Sequence, residues 1–456
     1  MLPEAHTIPP WRRAIYGLLL AAGALAAPPA PANGPPADPA AERVEWLRAH
    51  AVAVRSIEPA DEDFSDLMPL AAAIGNARVV QLGEATHGDG SAFLAKARLI
   101  RFLHQVMGFD ALAWEAGFFD CRDMAAALRG GGPLQEAAAL CLYGIWRQSA
   151  QVQPTLAYLR ATQATGRPME VVGFDCRVST ESGRKERFPA FVSAFFDRLD
   201  PALLSAPERA DLAAMSAGLV PKDHWDRPGE RHHNRALPKR LIATIDARRE
   251  ELARFAGPRE IDFARQSLVS LLAMDRALPA DVEAGNADGY SRDTAMAENL
   301  LWWLNGPLRE RKVIVWAHNF HVFTDAFSPR GPAPGRPHAG STGRFLEQAL
   351  GEALYTIGFS AHSGVYRYAD AALDEGPVEI EAAPGALEDL LHRTGKPYLF
   401  VDFRALPAEH WLRAPLAAGF NFHEPIERDW PRLLDAAFFI DRMEPSAALP
   451  PPAARR

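Results

Sequence analysis

Glu84 and His87 follow directly on the short apolar run Val79-Val80-Gln81-Leu82 and on Gly83. A carboxylate and an imidazole so placed suit acid–base work. An imidazole of ordinary pKa, ~6.5, accepts a proton from water at neutral pH, and a neighbouring carboxylate fixes its tautomer and stabilises the imidazolium. Further strand-like runs end in the same manner: Ala111–Trp114 before Glu115, Met169–Phe174 before Asp175, and Lys312–Ala317 before His318, with His321 close behind. In open α/β sheets, ligands sit outside the carboxyl ends of parallel strands. These ends are therefore expected to converge on one hydrolytic site, where further histidine or lysine groups would stabilise an oxyanion as water attacks a carbonyl. The same nitrogen and oxygen donors suit zinc, which keeps a metal-dependent reading open. The Glu-x-x-His and His-x-x-His spacings are common, however, and neither is the His-Glu-x-x-His helix of zinc proteases. Ser360 and His362, after another strand-like run, are candidates to line the same pocket.

The elements that must position these residues alternate. The run Val79–Leu82 precedes a helical pattern over Ser91–Met107. A second strand pattern over Ala111–Trp114 precedes helices up to Thr165, and a third leads to Asp175. Strands alternating with helices predict a parallel sheet covered on both faces, an α/β fold. From Lys185 to Asn305 only helical patterns occur, so residues 185–305 are expected as a helical insertion. Within it, the turn Pro221–Asn234 carries His224, Trp225, His232 and His233. The α/β core is then discontinuous, 41–184 and 306–445. Its later strands are expected at Lys312–Ala317, Leu354–Phe359, Val378–Ile380, Tyr398–Phe403 and Ala437–Ile440, and residues 446–456 as a disordered tail.

Composition bounds the function classes. The 456 residues are 48% hydrophobic and 23% charged, with a formal net charge of -8. No basic stripe with interleaved aromatics is present, so nucleic acid is not an expected partner. The chain has no Gly-x-Ser-x-Gly elbow, Walker A loop or Gly-x-Gly-x-x-Gly turn. Trp11-Arg12-Arg13 followed by the apolar Ala14–Ala27 reads as a signal peptide over 1–27. The apolar stretch is too short to span a bilayer, and Ala24-Leu25-Ala26 fits a cleavage site. The mature protein is then expected to be periplasmic or secreted, with no membrane association after cleavage. Residues 28–40 form a Pro/Ala-rich linker. Of Cys121, Cys141 and Cys176, the first pair either forms a disulfide or is buried as free thiols.

Three groups of residues carry a family resemblance. Gly83-Glu84-Ala85-Thr86-His87-Gly88, the helix Phe93–Leu103 and Leu112-Ala113-Trp114-Glu115-Ala116 resemble the N-terminal signature of the erythromycin esterase family. Arg292-Asp293-Thr294-Ala295-Met296-Ala297-Glu298-Asn299 resembles that family's Arg-Asp helix. Trp316-Ala317-His318-Asn319-Phe320-His321-Val322, with Ser341-Thr342-Gly343 beyond it, resembles its second histidine motif. The resemblance implies a three-layer α/β/α core with a large helical insertion, a deep cleft between them, and hydrolysis of esters or macrocyclic lactones. It implies His87 as general base, supported by Glu84, Glu115, His318 and His321. Lys96 stands where the family often has arginine, and a lysine lacks the planar fork for bidentate anchoring. Lys96, Asp175 and Arg292 are candidate substrate-binding residues. Arg292 and Asp293 could instead pair at the helix start, and Thr86 could cap the following helix. No cofactor is expected, although zinc would suit the ligand set. Two other readings stand beside this one: a metal-dependent hydrolase on the same residues, and a small-molecule-binding protein without catalysis.

Overall fold

Along the strand Val79–Leu82 every side chain is buried, and successive residues face opposite cores. Val80 and Leu82 pack with Leu112, Trp114, Ile314 and Trp316 against the helix Gly90–Gln105. Val79 packs with Ala111, Ala113, Val313 and Val315 against Leu268, Leu271, Met296 and Trp303 of the later helices. This period-two division is what a sheet covered on both faces requires. The computed structural model describes residues 39–177, 185–218, 235–282, 290–325 and 340–450.

The strands are β1 (Val52–Ala53), β2 (Val79–Leu82), β3 (Ala111–Gly117), β4 (Glu170–Asp175), β5 (Val313–Trp316), β6 (Leu354–Tyr366), β7 (Val378–Glu381), β8 (Tyr398–Asp402), β9 (Leu416–Asn421), β10 (Glu424–Arg428) and β11 (Ala436–Met443). The main sheet runs β1-β8-β11-β6-β2-β5-β3-β4, with β7 against β6. The stretch from β11 to β4 is parallel, while β1, β7 and β8 pair antiparallel. The mostly parallel α/β architecture is thus as expected. Parallel order also brings the carboxyl ends of β2, β5, β3 and β4 to one edge, and this positions the site. Below that edge the rings of Trp114 and Trp316 stack at 4.4 Å. Truncating either buried ring to alanine would cost about 3–5 kcal/mol.

The structure alters several expectations. The segment 185–305 is not set apart from the core. Its described helices, above all Pro258–Val282 and Arg292–Asn305, share one buried cluster with strand side chains and form the layer on the second face of the sheet. Strands β1, β9 and β10 were not anticipated. Alanine and glycine in β9 and Pro425 in β10 carry little strand propensity, and the two pair only with each other in a small hairpin. Residues 446–450, expected as disordered tail, run beside the His87 loop. Ser446 N donates to the Gly88 carbonyl at 2.8 Å, and Leu449 N to that of Gln148 at 2.7 Å. Backbone pairing orders this stretch where its composition offers little apolar surface to bury. Cys121 and Cys141 form a disulfide, and Cys176 is a buried thiol. The signal peptide 1–27, the linker apart from Pro39 and Ala40, and His224, Trp225, His232 and His233 lie outside the described residues. Among the described residues, no helix is long and apolar enough to cross a membrane.

Candidate active site

The loop after β2 carries Glu84 and His87. Gly83 opens it, because Asn319 presses its side-chain amide where a Cβ would stand. Asn319 donates to the carbonyls of Phe359 at 2.8 Å and Phe420 at 2.7 Å, and its backbone N–H donates to the Glu84 carbonyl at 2.8 Å. It thereby ties together the ends of β2, β5, β6 and β9. The other side of the loop rests on Asp89, which accepts from Thr86 N at 3.0 Å and Thr86 Oγ1 at 2.8 Å. Thr86 therefore bonds within its own loop and does not cap the following helix.

His87 Nδ1 lies 3.1 Å from Glu84 Oε1, so the neutral ring donates there and keeps Nε2 as its basic nitrogen. Nε2 has no hydrogen-bond partner among the described residues, and the side chain is 24% exposed. Burial pushes the His87 pKa down, against the pull of Glu115, with His321 and Arg292 adding to the fall. The ring is thus neutral at pH 7. It packs edge-on against Trp146 at 4.9 Å and His318 at 5.3 Å.

Glu84 Oε2 meets the Lys96 ammonium in an ion pair with neither side chain exposed. The ammonium also lies 4.6 Å from the centre of the Trp316 ring and 3.4 Å from the Ala317 carbonyl. Burial pushes the Lys96 pKa well down. The carboxylate in contact and the aromatic face are what keep a charge tolerable there. Lys96, a candidate substrate-binding residue, is thus fully buried with its ammonium on Glu84, whose other oxygen faces His87 Nδ1.

His318 and His321 share one motif yet have opposite protonation. His318 Nδ1 accepts from Phe320 N at 3.0 Å, which forces the proton of the neutral ring onto Nε2. Burial, then His87 and His321, drive its pKa well below the usual value, against Glu115 and the Ala85 carbonyl. Its Nε2 is buried with no hydrogen-bond partner among the described residues. His321 is held between two carboxylates, Nδ1 2.8 Å from Asp293 Oδ1 and Nε2 3.2 Å from Glu115 Oε1. Burial opposes its charge, but Asp293 and Glu115 prevail and raise its pKa to about 10. Both nitrogens are in contact with carboxylates, Nε2 also lying 3.3 Å from Arg292 Nη1, and the raised pKa favours the imidazolium at neutral pH.

Glu115 receives this cation. Its other oxygen accepts from His318 N at 3.0 Å, and Arg292 Nη2 lies 3.2 Å from Oε1. Burial alone would raise its pKa, yet His321, His87 and Arg292 hold it well below the carboxylate range. Arg292 makes a forked pair with Asp175, at 3.2 and 2.8 Å, and Tyr143 donates to Asp175 at 2.9 Å. Despite burial, Arg292 and Arg177 hold Asp175 down at about 2. Asp175 is fully buried, with its carboxylate held by Arg292 and Tyr143. Arg292, 15% exposed, is spent on two carboxylates. Arg292 and Asp293 do not pair; Asp293 instead takes His321 together with the N–H and hydroxyl of Thr342.

Several contributors had no clear sequence signal: Trp146, Tyr143 and the turn Phe422-His423. That turn joins β9 to β10, and both residues have positive φ, 53° and 55°. Non-glycine residues rarely adopt this conformation, and it costs on the order of 1–3 kcal/mol where it occurs. The turn overhangs the site: Phe422 N donates to the Ala85 carbonyl at 3.0 Å, the half-exposed Phe422 ring lies 4.9 Å from His318, and His423 Nε2 is 3.0 Å from Asp89. Ser360 is buried at the cleft edge of β6, while His362 leaves the site and stacks on His392.

The chain is 24% identical over 437 residues to the Bacillus subtilis protein YbfO, covering 89% of this chain and 92% of that one. It is 23% identical over 386 residues to an erythromycin esterase type II of Escherichia coli, covering 80% and 90%. Among solved structures, a Bacillus cereus protein aligns with a TM-score of 0.71 at 21% identity, over 90% of this chain and 99% of that one. An erythromycin esterase mutant in its open conformation aligns with a TM-score of 0.65 at 17% identity, over 86% and 97%. The family model for erythromycin esterase matches residues 104–438, which takes in Glu115, Asp175, Arg292, His318 and His321. The chain belongs to the erythromycin esterase family.

Proposed function

We propose that the protein hydrolyses an ester or macrocyclic lactone, with His87 as general base. The observation that carries this reading is the pairing of two neutral imidazoles of complementary tautomer. His87 offers an unprotonated Nε2, and His318, its ring centre 5.3 Å away, offers an unpartnered Nε2–H. A water held at His87 Nε2 gives up its proton as its oxygen attacks the carbonyl carbon. The tetrahedral oxyanion accepts the hydrogen bond of His318 Nε2–H. When the intermediate collapses, the C–O bond breaks and the alkoxide takes the proton from the His87 imidazolium, leaving an acid and an alcohol. Glu84 stabilises that imidazolium, and Lys96 keeps Glu84 in place.

On this reading the chemistry is water activation by His87, with no metal invoked. Export is part of the proposal, since the basic and apolar N-terminal pattern and the Cys121–Cys141 disulfide both suit an oxidising compartment. The test is a panel of esters and lactones, macrolides included, assayed with chelator present. For any substrate turned over, His87→Asn should lower kcat about 100- to 10,000-fold and His318→Gln about 100- to 1,000-fold. A His87→Asn variant with near-normal turnover sinks the assignment.

A further inference from the structure

We propose that His362, His392 and Asp441 form a second site, outside the cleft, that binds a divalent transition-metal cation of the zinc type. The sheet register brings them together. β6 and β11 are parallel with Ala361 opposite Ile440 and Ser363 opposite Arg442, which sets His362 beside Asp441. His392 is the last residue of the helix Leu387–His392, which packs over these strands. The rings of His362 and His392 lie face to face, 3.9 Å apart and 4° from parallel, and His392 Nδ1 is 2.6 Å from Asp441 Oδ1.

One ligand atom from each residue lies within 4.8 Å of the other two, and among the described residues this is the group that meets that condition. Zinc bonds of about 2.0–2.1 Å set tetrahedral ligand atoms about 3.3 Å apart, so closure asks for adjustments in which the stacked rings turn from parallel and both lone pairs meet one ion. His392 and Asp441 are partly exposed, 47% and 34%, and are free to make them. Two imidazoles and a carboxylate are a donor set that zinc and its neighbours accept. The three ligand-bearing residues come from two adjacent strands and the helix packed over them, so one ion there would bridge all three elements. The ion would take the place of the proton shared by His392 and Asp441.

The site does not depend on the hydrolytic reading. Metal bound there would raise thermal stability without entering the chemistry. The test uses the full-length protein, stripped with chelator and titrated with zinc chloride by calorimetry at pH 7.5, with parallel melting curves. One equivalent should bind per chain and raise Tm. Asp441→Asn should weaken binding by about tenfold or more, and His362→Ala/His392→Ala should abolish it, with ester turnover unchanged. His392→Ala alone, at an exposed position, serves if the double variant does not fold. Absence of zinc binding to the wild type, or equal affinity in all variants, overturns the proposal.

Discussion

His321 should be the largest single source of pH-dependent stability at the site, and His321→Gln isolates it. The unfolded ring titrates near ~6.5 and the folded one at about 10, because Asp293 and Glu115 clamp both nitrogens. A folded pKa above the unfolded one gives stabilisation that is complete below ~6.5 and is lost as pH rises through the folded value. At ~1.36 kcal/mol per pH unit the gap is worth about 5 kcal/mol in full, and about 4 kcal/mol at pH 7. Glutamine retains hydrogen bonds but no charge, so the advantage of wild type over His321→Gln should shrink with pH. Between pH 6 and 9 it should fall by about 3 kcal/mol. Urea unfolding of both proteins at half-unit pH steps measures this difference and cancels the lysines and tyrosines they share. Parallel stability curves for the two proteins would refute the fixed imidazolium, and would return His321 to the list of possible bases.

Other consequences of the same network can be checked directly. Lys96→Met leaves the Glu84 carboxylate buried with only the neutral His87 ring as partner and should destabilise by about 3–5 kcal/mol in urea unfolding. Adding Glu84→Gln should recover much of that stability but not the activity, and a double variant as unstable as the single one would contradict the pairing. Because the His87 pKa is lowered, kcat/KM should be fully developed at pH 7 and fall only in acid, with its midpoint below 6.5; a midpoint above 7 would exclude His87 as the base. Phe422→Asn exchanges a strained residue for one that tolerates φ near 53°, so Tm should hold or rise while KM for apolar esters increases several-fold. A large fall in Tm would show that the ring matters for packing rather than for the cleft wall.

How much of this was legible in the sequence depends on the range of the signal. The strand ends were readable because a parallel strand buried on both faces is a nearly continuous apolar run, and the residue that breaks it lies at the sheet edge. Glu84, Glu115, Asp175 and His318 stand out for that reason, and the structure collects them at one edge. Strand β9, with its alanines and glycine, and the exposed edge strand β10 have no such run, so the Phe422-His423 turn stayed hidden although it sits on His318. Helical spacing placed the 185–305 helices correctly as helices but said nothing of the face they cover; only tertiary packing makes them the second layer of the core.

Role was less legible than position, since role depends on what lies across space. Lys96 reads as an exposed helix charge or a substrate anchor, and what decides otherwise is Glu84, twelve positions earlier in the chain. The pair His318 and His321 is the clearest case. The His-x-x-His spacing suggests two equivalent ligands or donors. Yet the Phe320 N–H makes the first ring a neutral donor, and Asp293 and Glu115 favour the protonated form of the second at neutral pH. The cation holds Glu115 ionised, Glu115 fixes the backbone of His318, and His318 is left with one free N–H beside the free nitrogen of His87. That division between a free acceptor, a free donor and a held charge comes from the partners of each ring rather than from the spacing between them.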